Sequence, residues 1–292
     1  MNRPKPSDIM TNPDAAPYPS RLPEQPALTN TAKYWSFMLA GAVDVPLMLS
    51  YADLLALPAH EIDCAIVCAA NPAGTPHIAP VRWRGVALKS LLNETDIDAH
   101  VRCAHLHAAD GYTTCIDMHH LESALLAYQK DGAALLPDHG GPVRLIVPGL
   151  YGYKLPKAIQ RIILAEMPIA GVWEKRGWPS EGHAQIASAI HHPLHRARIR
   201  GYTTLTGTAY AGLRAVSSIE VSIDFGPWMP VPFSQTAPAA PAHWSIDWTP
   251  SAPGQYNIRV RATDSHGVTQ PVAAGPSDGS PAIHSIVVHV ED

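Results

Sequence analysis

The carboxyl-terminal third of the 292-residue chain shows a strict alternation of apolar and polar residues. Apolar side chains occupy every second position of residues 218–224, and residues 255–262 repeat the pattern. A period of two places successive side chains on opposite faces of an extended chain, so both segments are predicted to be half-buried strands. Residues 283–290 are predicted to form a closing strand. From Arg198 onward, short strands separated by turn residues predict an immunoglobulin-like β-sandwich.

The first half of the chain mixes helical and extended patterns. Ser50 precedes an apolar run with Asp53 in its first turn and Pro58 after it, which predicts a short capped helix. Two further helices are predicted over 87–92 and 119–131. Strands are predicted over 34–39, 45–49, 62–68, 101–107 and 143–147. Because strands and helices do not alternate regularly, the sequence favours an α+β fold over a doubly wound sheet.

These patterns divide the chain into three predicted parts. Residues 1–33 form an irregular amino-terminal arm, residues 34–190 a first domain, and residues 191–292 the strand-rich second domain. The 29 prolines and 20 glycines agree with many turns and short connections. The length is sufficient for two hydrophobic cores.

Composition excludes several classes of protein. The chain is 46% hydrophobic and 16% charged, which is not the composition of a disordered protein. A net charge of −4 gives no basic footprint for nucleic acid or an anionic membrane. Charged residues and prolines interrupt the longest apolar region, 37–59, so no membrane span is expected. We expect a soluble protein, cytoplasmic as written because no export signal is seen, and periplasmic if the sequence is a processed form.

Residues 138–157 carry the strongest chemical signal. Glycines and prolines bracket a predicted buried strand that is flanked by His139, Arg144, Lys154 and Lys157. Cationic groups beside glycine-rich turns can hold a phosphate or pyrophosphate through charge-assisted hydrogen bonds. The spacing matches neither a P-loop nor a dinucleotide-binding fingerprint. A turn-rich surface with solvated lysines is the alternative explanation.

Cysteines and histidines offer weaker signals. The four cysteines form no Cys-x-x-Cys pair, and Cys64 and Cys68 fall on one face of a predicted strand, where buried, inert thiols are the default interpretation. His191, His192 and His195 form a sequence cluster that could contribute to a zinc site only with ligands from elsewhere. Neither a haem-attachment motif nor a four-cysteine iron–sulfur pattern is present in the sequence.

Several short motifs follow one another along the chain. A His-Gly-x-Pro-x-Arg pattern, a strand, Pro-Gly-x-x-Gly and a basic pair span residues 139–157. A Cys-x-x-Asn motif lies at 68–71, a Trp-x-Gly-x-x-Leu stretch at 83–88 and an Asp-Gly-Tyr loop at 110–112. Together these motifs resemble those of the sulfite oxidase family of molybdopterin-dependent oxidoreductases, and segments of the carboxyl-terminal third also resemble the family's second domain. The resemblance spans about residues 34 to 290.

The resemblance implies a molybdenum-molybdopterin cofactor and a role for each matching residue. Cys68 would supply the thiolate ligand of molybdenum, since a soft sulfur donor suits that metal. Tyr112 would act beside the metal, with a phenol that can donate a hydrogen bond to the transferred oxygen. The residues implied to bind the cofactor are Cys68, Asn71, Asp110, His139, Arg144, Lys154 and Lys157.

The resemblance implies oxygen-atom transfer to or from a small molecule. Electrons would pass to an external partner, and the chain could assemble as a homodimer. Two departures from the family pattern leave the substrate open. The arm lacks an Arg-Asn-His triplet, and Pro72 and Ala73 stand where sulfite-oxidising members place arginines, with Arg82 or Arg84 as possible replacements. The alternatives are a sulfoxide-type reductase on the same cofactor and a cofactor-free binding protein of the same fold.

Overall fold

The computed structural model describes residues 32–69, 78–272 and 282–292. Within these residues the fold is mostly β, with less helix than the predicted α+β class implies. The two α-helices are α1 (Tyr51–Ala56) and α2 (Leu88–Leu92). Short 3₁₀ turns occupy Ala32–Tyr34, Met118–Ser123, Pro137–His139, Gly152–Lys154 and Glu174–Arg176. In the described parts of the chain, no helix has the length and apolar character that a membrane crossing requires.

The described residues divide into two compact units. The first unit holds residues 32–64 and 81–182. The second unit holds residues 183–272 and 282–292 together with residues 65–69 and 78–80.

Ten strands lie in the described residues before residue 183. They are β1 (Ser36–Gly41), β2 (Leu47–Ser50), β3 (His60–Val67), β4 (Ile78–Ala87), β5 (Cys103–Ala108), β6 (Thr113–Asp117), β7 (Leu125–Lys130), β8 (Ala133–Ala134), β9 (Arg144–Ile146) and β10 (Ile159–Ala165). One sheet has the order β2-β1-β10-β5-β6, in which only the β1–β10 pair is parallel among these described strands. A second sheet has the order β3-β4-β7-β8, and β9 also pairs with β7.

Two of the three predicted helices are present, and packing explains why the third segment is a strand instead. Ser50 and Asp53 form a capping box, in which each side chain accepts a hydrogen bond from the other residue's backbone N–H, and this confirms the predicted start of α1. The helix predicted over 87–92 is confirmed as α2. The helix predicted over 119–131 is wrong, because a 3₁₀ turn leads there into strand β7. Residues 125–128 are buried and pair with β4 and β9, so ladder hydrogen bonds override an apolar run that suits either structure.

From residue 183 onward, the described part of the second unit contains nine strands. They are β11 (Ala187–His192), β12 (Arg198–Arg200), β13 (Thr203–Tyr210), β14 (Val216–Ile223), β15 (Met229–Pro230), β16 (Phe233–Ser234), β17 (Ala242–Trp248), β18 (Gly254–Asp264) and β19 (His284–Glu291). The strands predicted over 218–224, 255–262 and 283–290 are confirmed as β14, β18 and β19.

These nine strands form two sheets with the orders β11-β13-β17-β16 and β12-β19-β18-β14-β15. Inward-facing residues of both sheets, including Leu205 and Trp244 from one and Val221 and Val260 from the other, belong to one buried cluster. Alternation along each strand supplies this shared core, since every second side chain points inward. The second unit is therefore built as two sheets packed on one core.

Candidate cofactor-binding site

A sharp turn at Gly140 brings three basic residues together. Gly140 has a φ of +97°, a left-handed conformation that glycine adopts without steric cost. A Cβ at this position would lie 2.9 Å from Cγ of Lys157 and 3.1 Å from Cδ of Arg144. His139 immediately precedes the turn. A side chain at residue 140 would therefore occupy the space between the basic residues.

Arg144, the first residue of β9, is the most constrained member of this group, and its side chain is 6% exposed. Its Nη1 donates to the carbonyl oxygen of His139 at 3.3 Å, and its Nη2 donates to that of Leu155 at 3.4 Å. Its Nε is buried and has no hydrogen-bond partner among the described residues. Burial lowers the pKa of Arg144 to about 10, so the guanidinium remains charged at neutral pH.

The other two basic residues border the same turn. His139 is exposed, and its pKa is lowered mainly by partial desolvation and also by the positive charges of Lys130, Lys157 and Arg144. The half-buried Lys157 donates from Nζ to the carbonyl oxygen of Asp138 at 2.8 Å. After desolvation, the positive charges of Lys157 and Arg144 beside this turn are among the causes that lower the pKa of His139.

This basic cluster, defined as His139, Arg144 and Lys157 around Gly140, has the chemistry of an anion site. A buried donor such as Nε of Arg144 is costly to leave without a partner, and such donors mark places where a ligand or ion completes the hydrogen bonding. Guanidinium and ammonium groups are strong donors to phosphate oxygens. The residues present therefore fit a phosphate-bearing cofactor.

Lys154 is held by a different set of contacts. Its side chain is 1% exposed and forms an ion pair with Glu174, whose side chain is 3% exposed. Lys154 Nζ also donates to the carbonyl oxygen of Cys115 at 2.7 Å, and Thr114 Oγ1 donates to Glu174 Oε1 at 2.6 Å. A buried carboxylate thus compensates the charge of Lys154. Glu174 was not singled out from the sequence, because no local motif signals a partner 20 residues away.

The Asp110–Tyr112 loop packs against the same region. Asp110 is buried, and its Oδ1 accepts a hydrogen bond from the backbone N–H of Tyr112 at 2.9 Å. The Tyr112 hydroxyl is fully buried and donates to the carbonyl oxygen of Tyr153 at 2.5 Å. Burial, followed by the charge of Glu174, raises the pKa of Tyr112 well above its usual range, so its phenol is neutral. These contacts place Tyr112 next to the segment that carries Lys154.

The Cys-x-x-Asn motif is only partly described. Cys68 directly follows β3 and is partly exposed, whereas Cys64 is 1% exposed within the strand. Asn71 lies outside the described residues.

The other candidate residues predicted from the sequence are two arginines of β4 and the histidines near β11, and their side chains contact residues outside the basic cluster. Arg82 contacts Asp63 at 3.0 Å and Arg84 contacts Glu61 at 3.1 Å, and all four side chains are about half exposed, as expected for solvated residues of neighbouring strands. In the His191–His195 region, His191 contacts Thr208 Oγ1 at 2.9 Å, and His195 Nδ1 accepts from the backbone N–H of Val287 at 3.2 Å. The structure therefore does not support this histidine cluster as a zinc site.

Comparison with known proteins finds one matching family model and several relatives. A family model described as oxidoreductase molybdopterin binding domain matches residues 24–173. An uncharacterised oxidoreductase of Bacillus subtilis, YuiH, is 30% identical over 150 residues, which cover 51% of this chain and 74% of that protein. Mouse mitochondrial sulfite oxidase is 28% identical over 283 residues, covering 79% of this chain and 52% of that enzyme.

Two further matches also extend over most of the chain. An NADH nitrate reductase of Lotus japonicus is 28% identical over 252 residues, which cover 66% of this chain and 28% of that enzyme. The chain thus spans about half of the mouse relative and little more than a quarter of the plant relative. The sulfane dehydrogenase SoxCD of Paracoccus pantotrophus has a similar fold, with a TM-score of 0.78, 24% identity, and coverage of 91% of this chain and 80% of that chain.

Proposed function

Because the chain belongs to the oxidoreductase molybdopterin binding domain family, in its sulfite oxidase type, we propose that it transfers one oxygen atom between water and a small substrate. The molybdenum-molybdopterin cofactor of this family is the redox centre, with Cys68 as its proposed thiolate ligand. A cysteine thiolate suits a metal that the pterin of this family also binds through sulfur. When bound, the cofactor supplies the two-electron chemistry of oxygen-atom exchange.

The observation that carries this proposal is the basic cluster at Gly140. Within this cluster, Nε of Arg144 is a buried donor without a hydrogen-bond partner in the described part of the chain. We propose that His139, Arg144 and Lys157 bind the pterin and its phosphate. Asp110 and Lys154 would contribute indirectly, because their polar atoms already bind the Tyr112 backbone and Glu174. Asn71 is proposed as a further cofactor contact from the Cys-x-x-Asn motif.

The protein's own groups have two tasks in this proposal. Cationic donors orient the cofactor by hydrogen bonds to its anionic part. Tyr112 supplies a neutral phenol, whose one proton leaves its bond to the carbonyl oxygen of Tyr153 and is donated in a hydrogen bond to oxygen entering or leaving. Electrons then pass to an external partner protein.

We further propose that the two-sheet unit, whose carboxyl-terminal part begins at residue 183, is an immunoglobulin-like domain that mediates a homodimer. The shared core of its two sheets supports this assignment. Sedimentation of the purified chain tests the assembly: a dimer is expected, and a monomer at micromolar concentration would contradict it.

Steady-state assays test the reaction directly. Molybdenum-loaded protein is assayed with sulfite and a one-electron acceptor dye, and separately with methyl sulfoxides and a reduced donor dye. Turnover with sulfite supports a sulfite-oxidase-type reaction, and turnover with sulfoxides indicates the reductive direction. A loaded protein with no turnover in either assay would contradict oxygen-atom transfer to sulfur compounds.

Replacement of Lys157 by methionine is expected to lower molybdenum and pterin content several-fold. This variant removes one positive charge from the cluster but keeps the length of the side chain that contacts Gly140. Lys175→Met is the matched control, since Lys175 is an exposed lysine at another turn. Elemental analysis and pterin fluorescence of both purified variants measure the effect. Equal cofactor content in the two variants would show that Lys157 is not a cofactor ligand.

The variant Tyr112→Phe is expected to slow turnover by at least about tenfold while molybdenum stays bound, because the lost hydroxyl is the proposed hydrogen-bond donor to the transferred oxygen. Loss of the bond to Tyr153 also leaves a buried carbonyl without its donor, which costs about 1–3 kcal/mol of stability. Turnover number and thermal unfolding are measured on the same sample. Unchanged turnover in a destabilised variant would assign Tyr112 a purely structural role.

A further inference from the structure

The hairpin of β5 and β6 gathers three metal-binding side chains on one face. Cys103 and His105 alternate along β5, and His105 lies opposite Cys115 in the strand register. One ligand atom from each of the three residues lies within 4.8 Å of the other two. These residues belong to neither the basic cluster nor the Cys-x-x-Asn motif.

The two thiols of this group are buried, and a backbone carbonyl orients its histidine. Cys103 is 1% exposed and Cys115 is 6% exposed, so the thiols are shielded from bulk solvent. His105 Nε2 lies 2.8 Å from the carbonyl oxygen of Met167. A carbonyl only accepts, so Nε2 carries the proton and Nδ1 keeps its lone pair for a ligand. Metal-binding histidines are commonly oriented in this way by a backbone carbonyl.

A cleft borders one residue of this group, Cys115. The cleft has a volume of about 220 Å³, and its lining includes Cys115, Asp117, Pro168 and Ile169. Asp117 lies opposite Cys103 in the register, two residues beyond Cys115 on the same strand. The Asp117 side chain is exposed and is not part of the three-residue group, so a water molecule is the fourth ligand that remains.

We propose that Cys103, His105 and Cys115 bind one Zn²⁺ ion, with a water molecule as the fourth ligand. Two sulfurs and one nitrogen match the donors that zinc prefers, and three protein ligands with one exchangeable position are typical of an open zinc site. On binding, the two thiol protons pass to water and no electron is transferred. The three donor atoms have to close in by roughly 1 Å to reach tetrahedral zinc distances.

This site does not depend on the proposed oxygen-transfer function. Purified full-length protein is incubated with one equivalent of zinc in the presence of a weak chelator, desalted, and analysed for zinc and molybdenum together. About one zinc per chain is expected, with two sulfur scatterers at about 2.3 Å and a nitrogen at about 2.0–2.1 Å in X-ray absorption spectra. The wild-type spectrum tests the ligand set without any substitution.

The variants Cys115→Ser and His105→Gln are each expected to lose most of the bound zinc. His107→Gln is the matched control, because His107 lies on the same strand two residues away and is outside the cluster. Circular dichroism confirms that the variants used are folded. Zinc retained in Cys115→Ser, a zinc-free wild type, or a 2 Da mass deficit that indicates a Cys103–Cys115 disulfide would each overturn the zinc proposal.

Discussion

Replacement of Cys68 by serine is expected to abolish oxygen-atom transfer, by a factor of at least about 10³ in turnover, while the fold is retained. A serine hydroxyl is a hard, weakly acidic donor and does not replace the sulfur of a thiolate as a metal ligand. Because Cys68 is partly exposed, the substitution removes little buried contact and is expected to cost no more than about 1 kcal/mol. Turnover, molybdenum content and thermal unfolding are measured together.

The control for this prediction is Cys64→Ser. Cys64 lies four residues earlier, within β3, and is 1% exposed. A hydroxyl at this buried position is expected to cost about 1–3 kcal/mol of stability and to leave turnover nearly unchanged. If Cys68→Ser keeps wild-type turnover, or if the two variants lose activity equally, Cys68 is not the metal ligand.

Replacement of Lys154 by methionine is expected to destabilise the protein by about 3–5 kcal/mol, because it leaves the buried carboxylate of Glu174 without its counter-charge. The double variant Lys154→Met with Glu174→Leu removes both charges and is expected to recover most of this loss, since a buried ion pair is often replaceable by apolar residues. Urea unfolding of the wild type and the single and double variants measures the coupling between the two residues.

The matched control is Lys89→Met. Lys89 pairs with Glu122 at 3.5 Å on the surface, where the two side chains are 58% and 68% exposed. This variant is expected to change stability by less than about 0.5 kcal/mol. If the Lys154→Met, Glu174→Leu double variant is as unstable as Lys154→Met alone, the loss of stability does not come from the uncompensated charge of Glu174.

Local sequence patterns predicted part of this fold, and the reasons are physical. Strands β14 and β18 were predictable because one face of each is buried, which enforces strict alternation. The start of α1 was predictable because Ser50 and Asp53 cap it through contacts three residues apart. Strand β7 was not predictable, because residues 125–128 are buried on both faces and an apolar run alone does not distinguish a strand from a helix.

The candidate site shows the same limit. The sequence singled out His139, Arg144 and Lys157 through their motif, and the structure shows that a positive φ at Gly140 lets two of these side chains meet there. In contrast, the pairing of Lys154 with Glu174 depends on how distant segments pack. The grouping of Cys103 with Cys115 likewise depends on the register of β5 and β6, which no spacing of cysteines along the chain encodes.

The most direct test of the central claim is the content of molybdenum and molybdopterin per chain. The full-length protein is purified from a molybdate-replete host that synthesises the pterin, and both components are quantified in the same sample. We predict near-stoichiometric molybdenum accompanied by an equal amount of pterin. A folded protein that contains neither component after such preparation would contradict its assignment as a molybdopterin-dependent oxidoreductase and favour a cofactor-free binding protein of the same fold.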